Sequence, residues 1–141
     1  MVTETCFPVR FIETDLLGIV HHSNYLIWFE IGRSDYFKKA GIPIHTINAL
    51  GLYLPVLKTV CDFKCPAKHG DEIMVNTRLV YLSCVKVKFE YKVINKLKGN
   101  ILAAGNTVHA WTNKRLEPLN LEKAAPEIYY KIKQLVESTF S

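Results

Sequence analysis

No stretch of this sequence approaches the roughly 20 apolar residues that a membrane-spanning helix needs. The opening MVTETCFPVRF lacks the basic region and following apolar run of a secretion signal. A cytoplasmic protein without a membrane span is therefore expected. Repeats, linkers and low-complexity segments are also missing. With hydrophobic residues at 49% and charged residues at 22%, there is no room for a long disordered segment. At 141 residues the chain reads as one domain, 1–141, whose folding buries roughly two thirds of the surface its unfolded chain exposes. No G-x-S-x-G elbow is present, which disfavours a serine hydrolase.

Cysteine is sparse. Cys6, Cys61, Cys65 and Cys84 fit a reducing compartment, where a free cysteine behaves as a small hydrophobe. Cys61 and Cys65 have the look of a chelating pair. LKTVCDFKC alternates as a strand does, however, and four strand steps hold the two sulfurs roughly 13 Å apart. Neither a metal site nor a disulfide is expected.

A formal charge of +5 raises the question of an anionic partner. Nucleic acid fits poorly. From Val85 onward the chain alternates, with Val85, Val87, Phe89, Tyr91 and Val93 on one side and Lys86, Lys88, Glu90 and Lys92 on the other. That pattern describes one solvated strand face, with no aromatic residues among the charges to stack bases. No nucleic-acid motif occurs elsewhere, and a small polyanion is the better match.

The elements follow from period and punctuation. Phe7, Val9 and Phe11 read as a first strand, followed by a turn holding Asp15 and Gly18. A long helix is expected from Ser23 or Asn24, either of which can cap it, to Gly41 with Pro43 beyond. Tyr25, Leu26, Ile27, Trp28, Phe29, Ile31, Tyr36 and Phe37 cover most of its circumference, so it should be wrapped by other structure. Strands are expected at Tyr53 to Cys65, Glu72 to Leu82, Cys84 to Asn95 and Ile101 to Thr112, and Pro126 opens a short helix with Ile128, Ile132, Leu135 and Val136 on one stripe. The fold class is α+β: a five-stranded antiparallel sheet around one long central helix, with a short C-terminal helix.

The run Glu13, Thr14, Asp15, Gly18, Ile19, Val20, His22, Asn24, Tyr25, Phe29, Glu30 and Arg33 resembles the signature of the hot-dog-fold thioesterases of the 4-hydroxybenzoyl-CoA thioesterase type. The pairing of Gly18 with His22 is most similar to the branch of acyl-CoA thioesterases associated with the Tol-Pal system. The likeness extends through YFKKAGIP and the strand around Cys61 to Cys65, covering nearly the whole chain. It implies a homodimer or homotetramer with active sites at subunit interfaces, an acyl-CoA substrate and no cofactor. It also implies Asp15 as general base or nucleophile, with the backbone N–H of His22 polarising the thioester carbonyl. Gly18, Val20, Tyr25, Ser83 and Lys86 are its candidate substrate contacts. Where the 4-hydroxybenzoyl-specific relative carries basic residues for CoA phosphates, this chain has Ser83, Cys84 and Val85, with Lys86 just beyond. Lys58, Lys64, Lys86 and Lys88 form at most a diffuse basic surface.

Chemistry agrees with these roles. Thioester hydrolysis needs a group that attacks or activates water and donors for the developing oxyanion, and the thiolate leaves without a strong general acid. One carboxylate suffices. A lone D-x-x-G segment reads more simply as a turn whose aspartate bonds its own backbone; the longer motif favours the catalytic role. His21 should point away from His22 and receives no role, and Glu30 with Arg33 reads as an i,i+3 stabilising pair. Tyr25, Trp28 and Phe29 read first as core. Two other hot-dog functions compete: a noncatalytic acyl-CoA-binding or regulatory module, and a dehydratase or hydratase, whose His and acidic partner sit on a different motif.

Overall fold

The computed structural model describes residues 1–141. Strand β1 (Val2–Pro8) leads through a single 3-10 turn (Phe11–Glu13) to the long helix α1 (Ser23–Lys39) and a short α2 (Ile44–Ala49). Four strands follow, β2 (Val56–Phe63), β3 (Glu72–Leu82), β4 (Lys86–Asn95) and β5 (Ile101–Ala110), then α3 (Leu121–Ala124) and α4 (Pro126–Thr139). The sheet order is β1-β3-β4-β5-β2 and every neighbouring pair is antiparallel. This is the expected α+β hot-dog architecture.

Alternation builds the sheet. Ile73, Val75, Thr77 and Leu79 of β3 and Val87, Phe89, Tyr91 and Val93 of β4 are all buried, while their neighbours face away. α1 lies across this inner surface, close enough that only glycine serves at the crossing. A Cβ on Gly32 would stand 2.5 Å from Thr77 Oγ1 and 2.9 Å from Val75 Cγ1. α4 packs on β3, burying Ile128 and Ile132 as its stripe predicts and half-burying Leu135 and Val136.

Several expectations need correction. The first strand begins and ends earlier, because Thr3 rather than an apolar residue fills its inward position, and Phe11 sits on the 3-10 turn at 75% exposure. β2 is shorter at both ends; Tyr53 makes only an isolated bridge to Thr112. β4 starts two residues late because the Ser83 hydroxyl accepts from Val85 and Lys86 N–H and holds a turn. β5 stops at Ala110 instead of Thr112. α2 and α3 are too short to show a helical period in sequence.

The long helix is also not wrapped all round. Tyr25, Trp28, Phe29, Gly32, Tyr36 and Phe37 are buried, whereas Leu26, Ile27 and Ile31 are exposed. Neither Ser23 nor Asn24 caps α1 with its side chain. The His21 ring does so instead, accepting from Ser23 N–H at 3.2 Å, and the Asn24 amide turns back to donate to the carbonyls of Glu13 and His21.

Candidate active site

The loop between β1 and α1 is held at both ends. Arg10 N–H donates to Glu13 Oε1 at 2.8 Å and the Trp28 indole N–H donates to Glu13 Oε2 at 2.8 Å, tying the start of the loop to the buried face of α1. Burial pushes the Glu13 carboxyl up, yet these bonds and the Arg10 charge prevail and hold it below the usual carboxylate range. Farther along, Thr14 bridges Val20, and Val20 N–H donates to Ala67 O at 2.9 Å.

Between those ties the chain reverses. Asp15 N–H donates to Ile19 O at 2.8 Å, Gly18 N–H donates to Asp15 O at 3.0 Å, and Gly18 adopts φ 80°, a conformation that glycine reaches without strain. Leu17 N–H donates to Asp15 Oδ1 at 2.8 Å, fixing the half-buried carboxylate. No protein group donates to its other oxygen. The turn-forming bond and a chemical role are thus compatible, since one oxygen serves each.

His22 stands at the mouth of α1. Its N–H donates to nothing in the chain, whereas Asn24 N–H reaches His21 O and Tyr25 N–H reaches His22 O. A free amide at a helix start, where the helix dipole is positive, is suited to hold negative charge. The His21 ring does not point away from His22 as expected: the two centroids are 4.2 Å apart, because the capping bond fixes His21 beside it.

Asp15 and His22 line one cavity of about 310 Å3, together with Ile19, Val20, Tyr25, Phe63, Lys64, Cys65 and Pro66. Val20 and Tyr25, two of the candidate substrate contacts, thus share a cavity with Asp15. Tyr25, 3% exposed, contacts Phe63 edge-on at 5.2 Å, and burial pushes its phenol up. Gly18 shapes the turn without lining the cavity. Ser83 and Lys86 sit at the opposite end of the sheet: Lys86 pairs with Ala110, whereas Phe63 pairs with Ala103. Within one chain they are not brought to Asp15.

The far wall, Phe63 to Pro66, is the part that sequence reasoning misses. Lys64 reads in sequence only as one member of a diffuse basic surface. The antiparallel pairing of β2 along β5 delivers this segment to the loop, and only Pro66, ending the strand pattern, hints at it.

A larger hollow of about 400 Å3 lies on the outer face of the sheet, bordered by Asn76, Arg78, Glu90 and Asn106. Its Arg78–Glu90 pair closes at 2.6 Å, and it does not include the Asp15 carboxylate or the free His22 N–H.

The profile of the thioesterase-like superfamily matches residues 9–130. The chain belongs to that superfamily. Among thioesterase-like relatives, the putative acyl-CoA thioesterase YneP of Bacillus subtilis is 30% identical over 127 residues, covering 89% of this chain and 91% of that one. The hypothetical protein TT1821 of Thermus thermophilus has 35% identity and a TM-score of 0.86, with 96% of this chain and 98% of that chain covered. The DHNA-CoA thioesterase of Staphylococcus aureus superposes with a TM-score of 0.91 over 99% of this chain and 95% of its own; at 24% identity it speaks for the fold. The motif from Glu13 to Arg33 lies wholly inside the matched span.

Proposed function

We propose that this protein is an acyl-CoA thioesterase of the 4-hydroxybenzoyl-CoA type, nearest the Tol-Pal-associated branch, acting in the cytoplasm without a cofactor. One observation carries the reading: the Asp15 carboxylate, with one oxygen free, and the unpartnered His22 N–H line the same cavity. The thioester carbonyl oxygen accepts from His22 N–H, while Asp15 attacks the carbonyl carbon or takes a proton from an attacking water. Collapse of the tetrahedral species expels the CoA thiolate, leaving the free acid on the water route; on the nucleophilic route it leaves an acyl–Asp15 anhydride that water then hydrolyses to the free acid and the Asp15 carboxylate. Val20 and Tyr25 bound the acyl group, and Gly18 sets the turn that presents Asp15.

The working unit is a homodimer or homotetramer. β2 is an edge strand with an open ladder. Antiparallel continuation of the sheet across that edge sets the Val56 end of one copy beside the Phe63 end of the other. The same pairing carries Ser83 and Lys86 of a second copy toward the cavity, which accounts for their distance from Asp15 within one chain.

The test is thiol release from a panel of acyl-CoA thioesters by the parent and by Asp15→Asn. Turnover should fall by about 10²- to 10⁴-fold with the fold intact. Equal rates in the two proteins would overturn the reading.

A further inference from the structure

The five most exposed large apolar side chains, Phe11, Ile12, Leu16, Leu17 and Leu97, are each at least 75% exposed, and none elsewhere exceeds 65%. Strand pairing gathers all five at one end of the sheet. Pro8 at the end of β1 faces Glu72 at the start of β3, Ile73 faces Asn95 at the end of β4, and Ile94 faces Ile101 at the start of β5. The loops 9–22, 64–71 and 96–100 therefore share this end.

These loops form one surface. Val9 N–H donates to Asp71 O at 2.8 Å, Lys96 N–H donates to Glu72 O at 2.9 Å, Ile19 bridges Lys68, and the Phe11 and His69 rings meet edge-on at 5.7 Å. Leu16 and Leu17 stand at the tip of the turn between the bridged Thr14 and Val20, away from the core.

The surface is also cationic. Lys64, Lys68, Lys96 and Lys98 are all exposed on it, and none closes an ion pair. The carboxylates of the same loops are withdrawn. Glu13 is buried against Trp28 and Arg10, and Asp15 and Asp71 are half-buried, accepting from the N–H groups of Leu17 and Lys68. Elsewhere Lys39 and Arg78 pair with Asp35 and Glu90, and Arg33, expected to bridge Glu30, donates instead to the Tyr91 hydroxyl at 3.1 Å.

We propose that this end docks on the surface of an anionic lipid bilayer, with Phe11, Ile12, Leu16, Leu17 and Leu97 at the acyl boundary and the lysines among the headgroup phosphates. A protein partner would need a pocket for each projecting side chain, whereas hydrocarbon closes around all of them. The tips supply the apolar area and the lysines select anionic lipid. Two of the loops line the Asp15 cavity, so docking brings that cavity to the lipid. The docking stands apart from the thioesterase reading above; only the use of the cavity there rests on it.

Cosedimentation of the full chain with vesicles, without substrate, tests the docking. The parent should bind vesicles of equal parts phosphatidylglycerol and phosphatidylcholine at least about tenfold more tightly than phosphatidylcholine alone, and its affinity should fall with added salt. Lys96→Glu with Lys98→Glu, and separately Ile12→Ser with Leu97→Ser, should each weaken binding to the anionic vesicles by at least about tenfold. A parent that does not bind them, binds both compositions equally or is insensitive to salt would overturn the proposal. So would either double variant binding like the parent; if the apolar one also lost self-association, its tips would belong against a second copy. Should a double variant fail to fold, the lipid comparison and salt dependence of the parent decide alone. No substrate enters these measurements, so they can fail while the Asp15→Asn result stands, and the reverse.

Discussion

Along α1, Tyr25, Trp28, Phe29, Gly32, Tyr36 and Phe37 turn into the sheet, while Leu26, Ile27 and Ile31 from the same apolar run face outward. The inner set is mostly aromatic and meets its partners in defined geometries. Phe29 stacks on Tyr91 with centroids 4.4 Å apart and planes 8° apart, and Tyr36 and Phe37 meet Phe89 edge-on at 5.7 and 5.3 Å. The outer set is aliphatic and touches no such partner. Hydrophobicity along a helix therefore records the total surface to be covered, by its own chain or by another; the type of residue and its partners tell the two apart.

The sharpest way to break this comparison is on the inner face. Phe29→Ala removes a fully buried ring from against Tyr91 and Gly105, and should cost about 3–5 kcal/mol of unfolding free energy in chemical denaturation. A cost near that of an exposed substitution would mean that the two faces do not differ as described.

Where the faces meet, the helix is tied to a buried polar chain. Arg33 donates to the Tyr91 hydroxyl, Tyr91 and Thr107 hydroxyls meet at 2.6 Å, Thr107 meets His109 Nε2 at 2.8 Å, and His109 Nδ1 meets Leu54 O at 3.0 Å. A carbonyl only accepts, so Nδ1 carries the proton of a neutral ring and Nε2 accepts from Thr107. Burial first, then the nearby Arg33 charge, pushes the His109 pKa down to about 4, against a partial opposing effect of Leu54 O. The unfolded chain takes up the proton near pH 6.5 and the folded chain only near 4, so protons favour the unfolded state across that window. Stability should fall as pH drops from about 6.5 to about 4, by up to about 3 kcal/mol, and be fully present above it. Melting temperatures of the parent and His109→Gln across this range check the point, the variant showing the shallower slope. Matching slopes would remove His109 from the account.

How far the sequence foretells the structure differs by region for physical reasons. β3 and β4 read cleanly because one face is buried and the other wet, so period two is explicit. β1 does not, since inward Thr3 carries no apolar signal. Within the site, Asp15, Val20, His22 and Tyr25 are recoverable because they lie in one local motif. The opposite wall from Phe63 to Pro66 arrives only through strand pairing, and the His21 cap depends on a ring orientation that no residue pattern encodes. Glu13 is a further case: its fixed place follows from the buried indole N–H of Trp28, which takes its carboxylate as acceptor, whereas the equally buried indole N–H of Trp111 has none.

The smallest expected effect lies on the outer face. Ile31→Ser removes an aliphatic side chain that is already 38% exposed. Under dilution sufficient to separate the copies, unfolding free energy should change by less than about 0.5 kcal/mol. At higher concentration the same substitution should weaken association, because Ile31 belongs with Leu26 and Ile27 to the exposed apolar face that a second copy of the proposed homo-oligomer would cover. A loss above about 1.5 kcal/mol in the separated chain would place Ile31 with the inner set, within the range of buried aliphatic truncations. An unchanged separated chain with weakened association means that the outer face contributes to stability only when a second copy covers it, and the two faces of α1 then serve folding and assembly separately.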